Sequence, residues 1–380
     1  MKTQFLAAMT FGLTASVAHA GGLDRSGQAI DILFEDGNVL QLTSSFTRPS
    51  ITGVQNSANP ALSFGNGVGI GNVGQSFQSF GVALKYQFTD ALSFAVILDE
   101  PFGADTAIPV VPNSFLGGTG ATVNSTALTA VARYKFNDRF SVHGGLRYQQ
   151  ISASVNLGGL AFGGLNGFSG TFGNDGGLGY VVGAAYEIPK IALRVSLTYN
   201  SEIDHDLQTV ESINGTVINP GSITPVTTPE SLNLAFQTGV APNTLVFGSV
   251  RYARNSTTQV ASAGFNGALG TTNSSLTDLE DSLDYEIGIG RRFNDKWSGS
   301  LAIGYSTSGD DSLVSPLAPT NGSRYVSVGA KYDFSEKVSL SGGIRYTDLG
   351  NATAAPGGVG AATFDGNSAL SAGFRVSYKF

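Results

Sequence analysis

Cysteine is absent from the 380 residues, histidine occurs three times and tryptophan once. Without thiols the chain can form no disulfide framework, thiolate metal centre or cysteine nucleophile. Charge is scarce as well. Asp, Glu, Lys and Arg make up 13% of residues, against the ~25% usual for soluble domains. That charge leans acidic, with 21 Lys+Arg, 28 Asp+Glu and a net charge of −7, which argues against a nucleic-acid binder that needs a dense basic face. Beyond residue 20 no run of ~18 consecutive apolar residues occurs, so no transmembrane helix is expected. In their place stand 51 Gly, 24 Phe and 13 Tyr, with glycine near twice its ordinary ~7% share. Such a composition is odd for a water-soluble protein and ordinary for an outer-membrane β-barrel.

Residues 1–20 read as a secretory signal peptide. Lys2 gives the positive start, Phe5 to Val17 the apolar stretch, and Ala18-His19-Ala20 a small-x-small cleavage site. The apolar stretch is too short to anchor as a helix. Export is therefore expected, and any membrane must be crossed with strands.

Period-two alternation dominates the rest. In the last segment Leu370, Ala372, Phe374, Val376, Tyr378 and Phe380 share one face, while Ser371, Gly373, Arg375, Ser377 and Lys379 share the other. A helix would mix these sets; a strand separates them. Residues 325–334 and 338–347 repeat the pattern. So do Phe77–Phe88, Leu92–Asp99, Thr126–Phe136, Phe140–Ile151, Leu178–Ile188, Ile191–Tyr199, Leu232–Val240, Leu245–Arg254, Leu283–Phe293 and Trp297–Ser306, with a weaker strand from Val39 to Val54. Each is near the 9–11 residues that cross a bilayer at a tilt. These segments predict an all-β fold, a 14-stranded antiparallel transmembrane β-barrel over residues 39–380, closed because an open edge in lipid would strand backbone groups.

Connections alternate between short and long. Tight turns fall at Thr89-Asp90, Asn137-Asp138-Arg139, Pro189-Lys190, Pro242-Asn243, Asn294-Asp295 and Ser335-Glu336, and long loops near 55–75, 102–121, 155–176, 205–230, 259–281, 309–321 and 351–367. Short periplasmic turns and long outer loops are the bacterial barrel pattern. Tyr86/Phe88, Tyr134/Phe136, Tyr332/Phe334 and Tyr378/Phe380 precede short turns or the chain end, as an interfacial aromatic girdle would. A soluble β-sandwich is the alternative, and it leaves that one-ended girdle unexplained.

Gly21 to Asn38 lacks alternation and carries Asp24, Arg25, Asp31, Glu35 and Asp36. Fourteen strands enclose a space that needs filling, so residues 21–38 are expected to form a short N-terminal plug (hatch), with a disordered tail as the alternative.

Enzymatic constellations are sparse. His143 shares a face with Ser141 and Arg147, but no acid follows at a spacing that fixes a triad. Gly69-Ile70-Gly71-Asn72-Val73-Gly74 matches a dinucleotide fingerprint without its strand–helix context. His205 lies in Asp204-His205-Asp206, read as a hydrated charge cluster. No catalytic residue, metal site or cofactor is expected.

Strand phase turns Lys85, Lys135, Arg147, Arg194, Arg251, Arg292, Lys331, Arg345 and Arg375 into the lumen with Glu187, Glu286 and Asp333. Ile97, Val131, Val181, Leu245 and Phe247 lie among them. This mixture suits an amphipathic anion such as a fatty acid, whose chain gains ~0.8 kcal/mol per buried CH₂ and whose carboxylate pairs with arginine. Arg147, Arg194, Arg251 and Phe247 are the lumen candidates for substrate. An interior merely cross-linked by Arg–carboxylate pairs is the alternative. Residues 155–176 add Leu157, Leu160, Leu165, Phe162, Phe168 and Phe172, and 102–121 add Ile108, Val110, Val111, Phe115 and Leu116. Loops this apolar either capture something or pack on each other as a lid; Leu157, Leu160, Phe162 and Phe168 are the capture candidates.

At this point the sequence resembles the FadL-type outer-membrane transporters of long-chain fatty acids and other hydrophobic molecules. The likeness lies in Gly22-Leu23-Asp24-Arg25-Ser26-Gly27 at the hatch entry, in Leu197-Thr198-Tyr199-Asn200-Ser201-Glu202-Ile203, and in Leu92–Asp99 followed by Pro101-Phe102-Gly103. The family's Asn-Pro-Ala precedes its first strand, whereas Asn59-Pro60-Ala61 here follows it. The resemblance implies capture at outer loops, passage to a lumen pocket beside the hatch, and lateral exit where the third strand breaks. It makes Pro101 and Gly103 lateral-gate residues and Phe102 a substrate contact. Pro101 has no N–H for the ladder and Gly103 no side chain, so pairing can fail there. Implied partners are long-chain fatty acids or other hydrophobic small molecules, outer-membrane lipid and lipopolysaccharide, with a monomer as the working state. A general diffusion porin and a structural or adhesive barrel are the rival readings.

Overall fold

The computed structural model describes residues 23–57, 59–309 and 312–380; the expected signal peptide lies outside them. Fourteen wall strands follow in chain order: β1 (Val39–Ser50), β2 (Phe77–Gln87), β3 (Leu92–Asp99 and Gly103–Ala107), β4 (Gly120–Lys135), β5 (Phe140–Leu157) and β6 (Phe168–Ile188). Then come β7 (Leu193–Asn200 and Ile203–Ile213), β8 (Thr216–Thr228 and Ser231–Ala241), β9 (Thr244–Ala253), β10 (Ser282–Arg292), β11 (Trp297–Ser306), β12 (Ser323–Asp333), β13 (Val338–Leu349) and β14 (Asn367–Lys379). Each pairs antiparallel with its neighbours, and β1 closes the ring by pairing with both β2 and β14, from Val39↔Lys379 to Ser50↔Ser368. Closure leaves no free edge in hydrocarbon.

The alternation sorts as its chemistry requires. Phe80, Val82, Leu84 and Tyr86 of β2 point out and are exposed, whereas Lys85 is buried inside. Ile287, Ile303, Val328, Ile344 and Phe374 are each more than half exposed, a belt of bare apolar side chains that water would not tolerate and lipid does. At the short-turn end the rings pack edge to face, Tyr86 on Phe88 at 5.5 Å, Tyr134 on Phe136 at 5.2 Å and Tyr332 on Phe334 at 4.8 Å.

Several boundaries differ from the sequence reading. The strand expected from Val39 to Val54 ends at Ser50, and Gly53–Gln55 joins a small sheet of loop strands. Much of the expected loop 205–230 is a hairpin, Ile203–Ile213 paired with Thr216–Thr228. Its turn is Asn214-Gly215, both at positive φ (49° and 78°), the two-residue turn that suits strand twist. Likewise β5 and β6 run 18 and 21 residues, well beyond a bilayer's need. Their extensions rise at the long-loop end and carry a cap with one seven-residue helix, α1 (Ala263–Leu269).

Two apolar clusters hold the cap. One joins Leu157, Leu165, Phe168, Phe172, Leu207, Val226, Phe265, Leu276 and Leu317; the other joins Ile70, Val73, Ile108, Phe115, Leu116 and Phe364. Each fully buried Leu or Phe contributes about 1.5–3 kcal/mol, enough to order glycine-rich loops. Glu211, fully buried, accepts from Ser262 Oγ (2.6 Å), Gly264 N (2.6 Å), Phe265 N (3.0 Å) and Asn219 Nδ2 (2.8 Å), tying α1 to the hairpin.

Candidate functional site

Residues Leu23–Asn38 occupy the barrel interior, each anchor being a strand side chain or a break in the wall. Arg25 N donates to Pro101 O (2.7 Å) and Gly103 N to Leu23 O (2.8 Å), so Asp24 pairs antiparallel with Phe102 at the interruption of β3. Asp24 accepts from Arg251 Nε (2.5 Å), and Gln28 Oε1 accepts from Arg251 Nη2 (3.1 Å) and Ser231 Oγ (2.7 Å). Lys85 Nζ donates to Glu35 O (2.5 Å), and the Arg133 guanidinium pairs with Glu187. The Phe34 ring lies between Arg133 (4.6 Å) and Arg194 (4.4 Å). Ile30, Ile32 and Leu33 bury against Ala95, Ile97, Val131 and Ala185.

Above this segment, toward the long loops, two cavities join. A vestibule of about 1220 Å³ is lined by Leu157, Phe162, Leu165, Phe265, Leu269 and Leu276. It shares Leu276, Thr277, Asp278, Ser315 and Leu317 with an inner cavity of about 1300 Å³. The inner walls are Ile51, Phe77, Val123, Ile151, Val155, Phe172, Leu207, Val226, Val260 and Leu349, and the floor is Leu23, Arg25, Gly103 and Asp105. Among its lining residues only Arg25, Asp105 and Asp278 are charged.

A third cavity, about 730 Å³, lies between β2 and β3 and is lined by Arg25, Ser26, Asp31, Ser79, Gly81, Asp99, Glu100 and Arg375 together with outward-facing Phe80, Val82 and Leu98. Because lumen and lipid faces both contribute, it passes through the wall. The strand register explains it. β2 pairs with β3 only from Val82↔Leu98 to Gln87↔Ser93, and the next bridge is Gly74↔Thr106. Phe77–Gly81 therefore has no β3 ladder partner. On the other side three residues, Glu100–Phe102, stand opposite two of β4, since Asp99 pairs with Ala127 and Gly103 with Asn124.

Arg25 separates the inner cavity from this gap, lining both. It pairs with Asp105 (2.5 Å), stacks over the Phe77 ring (4.1 Å) and lies against Gly103, where a Cβ would collide with its guanidinium. Only glycine leaves room for that side chain.

The sequence candidates fall in different places. Pro101 and Gly103 are at the break, and Phe102 is buried there with its N–H and C=O both bonded to Ser125 Oγ. Leu157 and Phe162 line the vestibule, Leu160 is exposed above it, and Phe168 is buried edge-on to Phe265 (5.8 Å). Arg147 donates to Thr129 Oγ1 (2.8 Å) and Asn200 Oδ1 (2.9 Å), while Arg251 serves Asp24, Gln28, Ser231 and Asn233. Arg194 and Phe247 line a fourth, more polar cavity of about 1320 Å³ beside Ser26, Gly27, Gln28 and Asp31. Phe77, Arg133, Asp99 and Glu100 are absent from the sequence candidates, and Arg25 stands there only as a charge of the N-terminal segment and part of its Gly22–Gly27 motif. Arg133 shares the phase of Val131 and Lys135, so alternation alone could have found it.

Two further sequence readings have geometric answers. Ser141 Oγ accepts from Arg133 Nε (3.0 Å) and His143 Nε2 bonds Thr198 Oγ1 (3.0 Å), so the two side chains have separate partners. His205, on the extension beyond Tyr199, is buried rather than hydrated, with Nε2 facing Gln149 and Nδ1 3.7 Å from Asp175. Burial pushes its pKa down.

The family model described as outer membrane protein transport protein (OMPP1/FadL/TodX) matches residues 39–380. No curated protein sequence matches the chain. Among solved structures, a Pseudomonas aeruginosa FadL homologue is similar at 16% identity and a TM-score of 0.72, covering 97% of this chain and 98% of that one. The Pseudomonas putida toluene transporter TodX is similar at 13% identity and a TM-score of 0.64, covering 91% and 90%. The CymD monoaromatic hydrocarbon channel is similar at 14% identity and a TM-score of 0.56, covering 90% and 88%. At these identities the likeness is one of fold.

Proposed function

The chain belongs to the outer membrane protein transport family (OMPP1/FadL/TodX), and from that premise we propose that it carries hydrophobic small molecules passively across the outer membrane and releases them sideways into lipid. The long loops then face outward and the short turns the periplasm. Cargo enters the vestibule, moves to the inner cavity, and leaves through the gap between β2 and β3 once Arg25 yields. The observation that carries the reading is continuity: the vestibule and inner cavity share their lining, and the inner cavity and gap share Arg25. A greasy route that ends at lipid needs no energy source, because transfer from water to each apolar surface is downhill.

Apolar surface dominates that route. The solved proteins of like fold include a toluene transporter and a monoaromatic hydrocarbon channel, which supports compact hydrocarbons; a fatty-acid chain fits the same walls. Carboxylate binding at Arg147 or Arg251 is harder to support, since both spend their donors on protein acceptors. The hatch residues Leu23–Asn38 act as the plug, and one copy surrounded by outer-membrane lipid and lipopolysaccharide suffices for the mechanism.

Uptake of labelled oleate and of a labelled alkylbenzene, compared in cells with and without the protein, tests the proposal. Protein-dependent uptake of at least one is expected. Equal rates for both would end it, and large steady ion currents in planar bilayers would favour a diffusion porin.

A further inference from the structure

The vestibule and the inner cavity are each large, yet they meet over a small area. Among the described residues their linings have in common only Leu276, Thr277, Asp278, Ser315 and Leu317. Leu276 comes from the connection between β9 and β10, and Leu317 from the one between β11 and β12. Both are buried, at 6% and 8% exposure, within the apolar cluster that holds the cap. That cluster continues to Leu165 and Phe265 on the vestibule side and to Phe172 and Leu207 on the inner side. Cargo moving inward therefore has to pass side chains that the cap also uses as its core.

The backbone carrying the two leucines is pinned. Leu276 N donates to Val260 O (2.9 Å), and Thr277 Oγ1 donates to Thr258 O (2.7 Å). Leu317 N donates to Ser315 Oγ (3.3 Å) and Ala318 N to Ser315 O (3.0 Å), which folds that segment into a turn. Widening the neck by shifting either segment would leave buried donors and acceptors without partners, which is costly. The leucine side chains can yield instead, by moving between staggered rotamers. Such a move makes room for about one side chain's width, and the close packing around it resists anything broader.

We infer that Leu276 and Leu317 form a neck that selects cargo by width, so that unbranched chains and single rings pass while branched molecules of equal apolar surface are held in the vestibule. The two leucines are specificity-determining residues, and the polar remainder of the neck, Thr277 and Ser315, fixes their backbone. The inference rests on the transport reading above and deepens it by giving the cargo a shape.

Two labelled hydrocarbons of one formula, n-nonylbenzene and symmetric triisopropylbenzene, separate width from hydrophobicity when initial uptake is measured in cells expressing the protein or lacking it. Nonylbenzene is expected to enter faster through the wild type; equal protein-dependent rates for the two isomers would overturn the neck. Leu276→Ala combined with Leu317→Ala is expected to raise triisopropylbenzene uptake relative to nonylbenzene by about tenfold, equivalent to ~1.4 kcal/mol of barrier. Leu165→Ala trims the same cluster on the vestibule side alone and is expected to keep the wild-type ratio, whereas a general loosening of the cap would move it. Should the double alanine variant not reach the membrane folded, Leu276→Val with Leu317→Val removes less of each side chain and is expected to shift the ratio the same way, by less. If uptake depends on the protein but the ratio stays constant in the variant that folds, the neck is wrong and the transport reading stands. If neither isomer's uptake depends on the protein, both fall together.

Discussion

Replacing Gly103 by valine tests whether Arg25 is the partition between the inner cavity and the wall gap. A Cβ at position 103 would lie 2.7 Å from Arg25 Nη1 and closer still to Nε and Cζ. Backbone cannot yield there, because Gly103 pairs with Asn124 on β4 and donates to Leu23 O. The guanidinium is the flexible end, so it moves. In moving it loses the Asp105 pair and the Phe77 stack. A partly buried charged hydrogen bond is worth about 1.5–3 kcal/mol and a cation–π contact about 0.5–2 kcal/mol, so the closed position of Arg25 weakens by about 2–5 kcal/mol. The barrel loses nothing comparable, since its ladder uses only the backbone of residue 103. Uptake of a labelled alkylbenzene at low concentration should rise several-fold, with unaltered heat-modifiable mobility on gels. Arg25→Ala should do the same, and the double variant should add little because one contact is lost twice. Unchanged uptake in both single variants would refute the partition.

Other outcomes follow from the same contacts. Arg251→Ala removes the donors to Asp24, Gln28, Ser231 and Asn233, so the hatch should loosen and single-channel conductance in planar bilayers should increase; an unchanged current would contradict that anchoring. Glu211→Ala strands three buried donors and frees Asn219, at a cost of about 3 kcal/mol or more to the cap. Protease cleavage within residues 255–281 should appear while the barrel persists. His205 has its pKa lowered by burial, so the folded cap binds its proton less readily than the unfolded chain. Its contribution is complete above the ordinary histidine value near ~6.5 and is lost as pH falls below it. Hydrogen exchange in Ile203–Thr228 should quicken on acidification in the wild type and less so in His205→Gln.

The barrel was legible because lipid and an enclosed interior make opposite demands on successive residues. Leu370–Phe380 and 325–334 separate into two faces for that reason alone. Legibility fades where the constraint does. Above the membrane, Ile203–Ile213 and Thr216–Thr228 mix Asp204, Asp206 and Pro225 into the strand and look like loop, although Asn214-Gly215 is a hairpin turn in plain sequence. The break at Pro101 was visible as a missing donor, but the gap depends on which residues of β2 lie opposite, and register is a property of two strands. The cations show the limit most clearly. Alternation puts Arg251 in the lumen but cannot say that Asp24, more than two hundred residues earlier, will occupy it. Phe168 likewise looked free for capture, and packs on Phe265 because the cap brings distant loops together.

Closing the gap reversibly is the most direct test of lateral exit. The chain contains no cysteine, so Phe80→Cys and Leu98→Cys introduce its only thiols, one on each lip of the opening. A short reducible cross-linker joining them should stop uptake of a labelled alkylbenzene, and reductant should restore it. Cross-linked protein that transports as fast as reduced protein would contradict exit through the wall.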